Sequence, residues 1–251
     1  MIYLRVEPMI QEKTHNVRQN PGMSANRLAD YMAASEQTRR SILKSCKYMS
    51  RARVIQHNDA KESIARYVSS PDSTVADLEA RMEILRNGLQ GSDFDNEVAE
   101  HNADYIERFL ENPPALPARV QEVSLAGKMP SLDINGFHLT FSPNLILRRV
   151  NMRNTPKIGV AFFRYAKNKV LSGDVADWQG AISFGYLDTK VKQGAGDVDP
   201  EKEMCVAIDM WTGKVHTAPS NAVYRFNEIK AACAGIVERW GQIQPPDGAV
   251  L

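Results

Sequence analysis

A chain of 251 residues with 43% hydrophobic and 24% charged residues can bury a sizeable core, which argues against a wholly disordered protein. No apolar run approaches the roughly 20 residues that span a bilayer, and the start lacks a signal-peptide pattern, so we expect a cytoplasmic protein without a membrane segment. The three cysteines are odd in number and widely spaced, which supports neither a disulfide framework nor a zinc site.

Charge is distributed unevenly along the chain, although the net charge is only +1. Residues 1–70 carry a net +6, residues 71–122 a net −8 and residues 123–251 a net +3. No acidic residue occurs between Asp133 and Asp174, and we call this segment the acid-free stretch. It predicts a contiguous cationic surface that suits an anionic partner. Its clustered cationic residues are Arg148, Arg149, Arg153, Lys157, Arg164, Lys167 and Lys169.

The beginning of the chain predicts a polar lead followed by two capped helices. Alternation of Ile2, Leu4 and Val6 indicates an edge strand. Ser24 and Ser35 precede the segments ANRLADYM and EQTRRSILKSCKYM. Because a serine oxygen can accept from the free amides of a first turn, both serines are predicted N-caps.

Three more helices are predicted before residue 113. The first runs from about Ser50 to Val68 and has Val54 and Ile55 on its apolar side. The last, SDFDNEVAEHNADYIERFLE, stops at Asn112 because two prolines follow. Between them, the segment STVADLEARMEILRNGL has the most regular amphipathic spacing in the chain, and its apolar positions are Val75, Leu78, Met82, Leu85 and Leu89.

A sheet module is predicted from Pro130 to Pro219, followed by a closing helix at Asn221–Trp240. Period-2 alternation and β-branched or aromatic residues indicate strands in PSLDINGFHLTF, SPNLILRRV, KIGVAFFRYAK and EMCVAIDMWTGKVHTAP. A helix is predicted around GDVADWQGAISFGYL. Turns are expected at Asn135-Gly136, Ser142-Pro143 and Thr212-Gly213.

These elements predict an α+β protein: a helical domain at 1–112 followed by a small mixed α/β sheet domain at 118–242. The rigid, polyproline-like segment PPALP at 113–117 is the candidate boundary. Residues 243–251 are predicted to form a loose tail.

The sequence contains no Walker loop and no GxGxxG, HExxH, GxSxG or CxxC motif, and its five histidines never fall at a metal-ligand spacing of three or four. No cofactor or metal is therefore expected, and the candidate binding residues are cationic. Besides the acid-free stretch, a second basic cluster begins at Arg39 and Arg40 and continues to Arg53. Such a cluster either contacts phosphates or is a solvated helix face.

The order helix, strand, strand, strand, helix, strand, helix in Leu116–Trp240 resembles the core of the PD-(D/E)XK restriction-endonuclease-like superfamily. In that family an Asp on the second strand and a Glu/Asp-x-Lys on the third hold Mg²⁺ against the scissile phosphate. Aligned by element order, Ser142-Pro143-Asn144 takes the first motif and Ala161–Arg164 the second. Asn144 and Phe162 stand where the acids belong, so the resemblance implies the fold more than the activity.

Two carboxylates elsewhere keep a nuclease open as an alternative. A displaced Mg²⁺ site would use Asp133 and Asp209, with Lys167 near the attacking water. For Asp209 we favour the other interpretation, a turn residue whose side chain would accept from the amide of Thr212 or Gly213.

Three hypotheses follow from the sequence. The first is a non-catalytic nucleic-acid-binding subunit of a bacterial nucleic-acid-processing or phage-defence assembly. This hypothesis predicts that Arg148→Glu plus Arg149→Glu weakens binding without unfolding the protein. The second is the Mg²⁺-dependent nuclease. The third is a protein-interaction adaptor, in which the acidic helices of residues 71–122 dock a basic surface. That surface belongs to a partner protein or to a second copy in a homo-oligomer, or else the basic segments neutralise these helices within one fold.

Overall fold

The computed structural model of the protein describes residues 12–52, 54, 56–88, 91–194 and 197–251. Within these ranges the chain forms seven helices and three small sheets, which confirms the α+β class. The expected strand at Ile2–Val6 lies outside the described residues, as do Arg53, Ile55 and Leu89. No helix in these ranges is long and apolar enough to cross a membrane.

In chain order the elements are β1 (His15–Val17), β2 (Gly22–Ser24), α1 (Ala25–Ala33), α2 (Glu36–Lys47), β3 (Tyr48–Ser50), α3 (Asn58–Ser69), α4 (Val75–Asn87), α5 (Asp93–Glu111), β4 (Glu122–Leu125), β5 (Leu132–Ile134), β6 (Phe137–Thr140), β7 (Leu145–Val150), β8 (Pro156–Arg164), α6 (Gly173–Lys192), β9 (Asp199–Asp209), β10 (Lys214–Thr217) and α7 (Ala222–Trp240).

The first two helices begin where their caps predict. The Oγ of Ser24 accepts from the backbone amide of Arg27 at the start of α1, and the Oγ of Ser35 accepts from that of Thr38 at the start of α2. The third helix differs from its prediction, because α3 begins only at Asn58. Of the residues expected in it, Ser50 lies in β3, which pairs antiparallel with β1. The other two residues of β3, Tyr48 and Met49, were expected to end the second helix.

The largest sheet has five strands in the order β10-β9-β8-β7-β4. Strand β8 runs antiparallel to β7 and parallel to β9, and the helix α6 connects the two parallel strands. Both outer strands, β4 and β10, run antiparallel to their neighbours. The strand at Glu122–Leu125 was not predicted from sequence. It forms one edge of the sheet.

The segment PSLDINGFHLTF forms a hairpin of β5 and β6 in a separate sheet instead of one strand of the main sheet. The predicted turn is confirmed, since Asn135 and Gly136 both have positive φ angles, of 53° and 83°. On the other side of β6, β2 pairs in parallel. This small sheet carries Asp133 on an exposed position of its β5 strand.

Two apolar layers cover the main sheet, and β8 contributes to both. Its side chains alternate, with Val160 and Phe162 in one layer and Ala161 and Phe163 in the other. The first layer contains α1, α2, α6, α7 and the β5–β6 hairpin, and the second contains buried residues of α3, α4 and α5. Each layer therefore takes residues from both sides of the segment 113–117.

Candidate functional site

Five of the seven cationic side chains in the acid-free stretch contact a carboxylate. Their partners come from α1, α5, β4 and β9, which lie far away in the sequence. The expected contiguous surface of free positive charge is therefore wrong, because the fold offsets most of it locally. The pairs are Arg148 with Glu122 (N to O, 3.2 Å), Arg149 with Glu201, Lys157 with Asp199 (2.8 Å), Arg164 with Asp30, and Lys167 with Asp104 (2.6 Å).

The pair of Arg149 and Glu201 is well shielded from solvent, with side chains 15% and 17% exposed. Hydrogen bonding to the Arg149 guanidinium lowers the pKa of the Glu201 carboxyl. Arg148 is more exposed and also donates to Ser124 Oγ at 3.0 Å. The two arginines thus join β7 by ion pairs to β4 on one side and, across β8, to β9 on the other.

Replacing Arg148 and Arg149 together by glutamate is expected to lower the thermal unfolding midpoint, in contrast to the expectation from sequence. The new carboxylate at position 149 would face Glu201, where like charges repel and the shielded acid loses its partner. Circular dichroism on heating measures the effect. The variant Lys128→Glu plus Arg153→Glu has the same net charge at exposed positions, and an equal midpoint for the two variants would contradict this assignment.

The other predicted binding residues divide into structural and free groups. Arg39 donates to the carbonyls of Tyr31 (3.0 Å) and Met32 (2.7 Å), so it closes the C-terminal end of α1. Arg40 is exposed and pairs with Glu36 one turn earlier in α2. The two cations of the acid-free stretch without a carboxylate partner in the described residues are Arg153 and Lys169, both exposed.

Asp209 is buried at the end of β9 and its side chain is fully engaged. It accepts from the amide of Trp211 (3.0 Å), the hydroxyl of Thr212 (2.7 Å) and the amide of Leu171 (3.1 Å). The role as a turn residue is thus supported, with partners other than those predicted. The bond to Leu171 additionally holds the loop between β8 and α6 against the end of β9.

The other two residues of the nuclease alternative have local roles of their own. Asp133 accepts from the amide of Gly136 at 3.0 Å and so stabilises the hairpin turn, while Lys167 pairs with Asp104. The hydrogen bonds of Asp133 and Lys167 described here do not involve Asp209. Across the described ranges, no cluster of three or more His, Cys, Asp or Glu side chains is arranged to hold a metal ion.

A cleft of about 850 Å³ opens beside the carboxyl ends of β8 and β9. Helices α1 and α2 line it together with the β8–α6 loop and the first turn of α6. Ligands of open α/β sheets commonly bind outside the carboxyl ends of parallel strands, which makes this cleft the candidate site. Three residues singled out from sequence line it: Arg164, Lys169 and Asp209.

Arg164 fastens α1 to the main sheet at the base of this cleft. Its guanidinium pairs with Asp30, donates to the backbone carbonyl of Asn26 at 3.1 Å and approaches Gln179 Oε1 at 3.4 Å. Asn26 and Gln179, which contact Arg164, each have a buried side-chain atom without a hydrogen-bond partner in the described part of the chain: Asn26 Oδ1 and Gln179 Nε2. Arg164 therefore serves the fold and is not free to bind an external phosphate.

Arg27 and Lys169 are the cationic groups of the cleft that no described carboxylate neutralises. Arg27 is exposed on α1, and its guanidinium donates to the Oγ of Ser45 on α2 at 2.9 Å. Lys169 extends from the β8–α6 loop. The positive end of the α6 dipole also faces this space. The first-turn acid of that helix, Asp174, pairs with Arg225.

Tyr105 of α5 is a buried polar residue that packs against Tyr165, the residue that follows Arg164. Tyr105 is fully buried, stacks on Tyr165 at 4.0 Å and has no partner for its hydroxyl among the described residues. Burial raises the pKa of the Tyr105 hydroxyl well above its ordinary value. The pKa of Lys61 is lowered by burial and by the positive charge of Arg164. The pKa of His57 is lowered by burial and by the positive charge of Lys61.

Neither Asn144 nor Phe162 offers a negative oxygen ligand for a metal. Asn144 Oδ1 accepts from the amide of Phe163 at 2.8 Å, so it joins the beginning of β7 to the end of β8. Phe162 is 2% exposed and packs edge-to-face on Phe141 at 5.2 Å. A hard divalent cation requires charged oxygen ligands, which these two positions do not supply.

Sequence reasoning missed Arg27, Asp30 and Lys61. Arg27 and Asp30 are one turn apart on a short helix, which is ordinary spacing for a solvated face. Their significance depends on the packing of α1 beside α6, a long-range contact without a local signal. A scan against protein-family models and a search of the curated proteins both found no match for this sequence.

Proposed function

We propose that this protein binds nucleic acid without cutting it, through the cleft at the carboxyl ends of β8 and β9. The observation that carries the proposal is the pair Arg27 and Lys169, two uncompensated cations from separate segments that line one cleft. Phosphates of a nucleic acid are the general partners of such groups. Of the remaining cations of the acid-free stretch, Arg164 also lines the cleft, and its ion pair with Asp30 stabilises that wall.

The connectivity of the main sheet supports an endonuclease-like core as part of this proposal. Strands β7 and β8, helix α6 and strand β9 follow one another as the resemblance requires, and β8 lies parallel to β9 across α6. The first strand of the main sheet within Leu116–Trp240 is β4 and not PSLDINGFHLTF, and no helix precedes β4 in the described part of that range. The two motif positions are adjacent in space, because Asn144 is hydrogen-bonded to the amide of Phe163. With an amide and a buried phenyl ring at these positions, such a core is suited to hold a strand and not to hydrolyse it.

Substitution of both cleft cations tests the proposal. The variant Arg27→Glu plus Lys169→Glu is expected to bind DNA and RNA oligonucleotides about tenfold or more weakly than the unmodified protein at moderate salt. The dependence of log affinity on log salt should flatten by between one and two, because two phosphate contacts are lost. Fluorescence anisotropy across a salt series measures both quantities.

A matched control carries the same change of charge elsewhere. Lys128 and Lys230 are exposed, and neither lines the cleft or pairs with a carboxylate in the described ranges, so Lys128→Glu plus Lys230→Glu should bind almost normally. If both double variants lose affinity equally, binding follows overall charge and the cleft is not the site. Metal-dependent cleavage of an oligonucleotide by the unmodified protein would instead favour the nuclease alternative.

One observation weighs against the adaptor alternative in which the acidic helices dock a basic partner. The acids of α5 are partly neutralised inside the chain, where Arg86 contacts Glu107 at 2.7 Å and Asp104 at 3.5 Å, and Lys167 contacts Asp104. The acidic helices are thus less available to a basic partner than their composition predicts. Failure of every nucleic acid to bind would leave this alternative as the better account.

A further inference from the structure

The exposed surface of the cleft wall is mostly apolar, and the two free cations Arg27 and Lys169 also line the cleft. Side chains of α1 and α2, the β8–α6 loop and the first turn of α6 form this wall, and Tyr165 lies beside it. Val170 in the loop is 57% exposed to solvent and so offers apolar surface on this side of the cleft. The apolar wall residues are Ala33, Ala34, Ile42, Val170, Leu171 and Val175.

Hydroxyl groups of α2 and of the α6 cap stand among these apolar side chains. Thr38 and Ser41 line the cleft from α2, and Ser172 lines it from the loop. An apolar surface with a few convergent polar groups is the usual lining of a site for a small organic group. Simple phosphate binding would need only the two cations and not this wall.

The size of the cleft limits what can enter. A volume of about 850 Å³ lies within the range of about 300–1,000 Å³ for small-molecule sites. A nucleotide unit has the matching division of chemistry, since its base has apolar faces and polar edges and its phosphate is anionic. A base inside a duplex is stacked and paired, so it cannot reach such a wall unless it is extruded.

We infer that the cleft takes a single unstacked nucleotide of a single-stranded nucleic acid, with its base against the wall around Val170 and its phosphate beside Arg27 and Lys169. This inference rests on the proposed function and narrows it to a ligand class. It assigns two separate tasks to the site: the cations bind any strand, and the wall distinguishes an accessible base from a stacked one.

Three probes separate these tasks for the full-length chain. They are a single strand of about 12 nucleotides, the same strand with abasic sugars in place of its nucleotides, and the corresponding duplex. At one salt concentration, the single strand should bind about tenfold more tightly than either of the other two, because only it can place a base on the wall. Fluorescence anisotropy gives the three dissociation constants.

A neutral substitution in the wall provides the second test. Val170→Ser should weaken binding of the base-containing strand about fivefold and leave binding of the abasic strand unchanged, because no charge is altered. Val223→Ser is the control, since Val223 is 54% exposed on α7, away from the cleft lining. Both variants leave the apolar core intact.

The outcomes distinguish the inference from the proposed function. If single, abasic and duplex forms bind equally and Arg27→Glu plus Lys169→Glu still weakens all three, phosphate binding stands and the inference about the base is overturned. If no probe binds, both are overturned. Selective loss of the base-containing strand with Val170→Ser supports the inference.

Discussion

Asp209→Ala is expected to destabilise the protein by about 3 kcal/mol, although the residue is a candidate catalytic acid from sequence. The substitution would leave two backbone amides and one hydroxyl without their acceptor at a buried position. Each unsatisfied buried donor costs about 1–3 kcal/mol, and partial access of water to the vacated space reduces the sum. Urea denaturation at neutral pH measures the free energy of unfolding.

Asp133→Ala is the matched control for this result. Asp133 is exposed and accepts one turn amide, from Gly136, so its loss should cost less than about 1 kcal/mol. A displaced metal site would predict the reverse pattern, in which both substitutions abolish the same cleavage activity and neither alters stability much. Equal stability of the Asp209→Ala and Asp133→Ala variants would contradict the structural role of Asp209.

Arg164→Met should lower the free energy of unfolding by about 3 kcal/mol. Removing the guanidinium leaves the Asp30 carboxylate, the Asn26 carbonyl and Gln179 Oε1 without their common donor. Breaking a shielded ion pair by deletion of one partner typically costs about 3–5 kcal/mol, and Asp30 is one-third exposed, which places this pair at the lower end. Chemical denaturation again supplies the measurement.

A double-mutant cycle separates the ion pair from general loss of packing. If Arg164 acts through Asp30, Asp30→Asn plus Arg164→Met should cost less than the sum of the two single substitutions. Arg164→Lys keeps the charge but not the planar fork, so it should recover only part of the stability. Strict additivity in the cycle would show that Arg164 stabilises the fold without the help of Asp30.

Local features of this fold could be predicted from sequence where the signal was itself local. The caps Ser24 and Ser35, the turn at Asn135-Gly136 and the closing helix at Ala222–Trp240 all depend on residues close together in the chain. The strand β4 could not be predicted in the same way. It has four residues, and its assignment depends on pairing with β7, more than 20 residues away.

At the candidate site, too, the sequence predicted local charge but not its neutralisation by distant segments. The acid-free stretch is a property of one segment, but the charge of a surface is set by every segment that packs against it. Glu122, Glu201 and Asp30 approach that stretch from other elements, so its composition alone overstated the free charge. Only Lys169 remains both predicted and free at the cleft, and it is joined there by Arg27, which no pattern in the sequence singled out.

The alternation of side chains along β8 has a consequence for how the chain can be divided. Strand β8 contributes side chains to two opposite layers. A fragment of residues 118–251 would therefore expose to water the apolar face of the sheet that α3, α4 and α5 cover. The complementary fragment would expose the apolar faces of those helices, so we expect both fragments to aggregate when the chain is divided at the prolines.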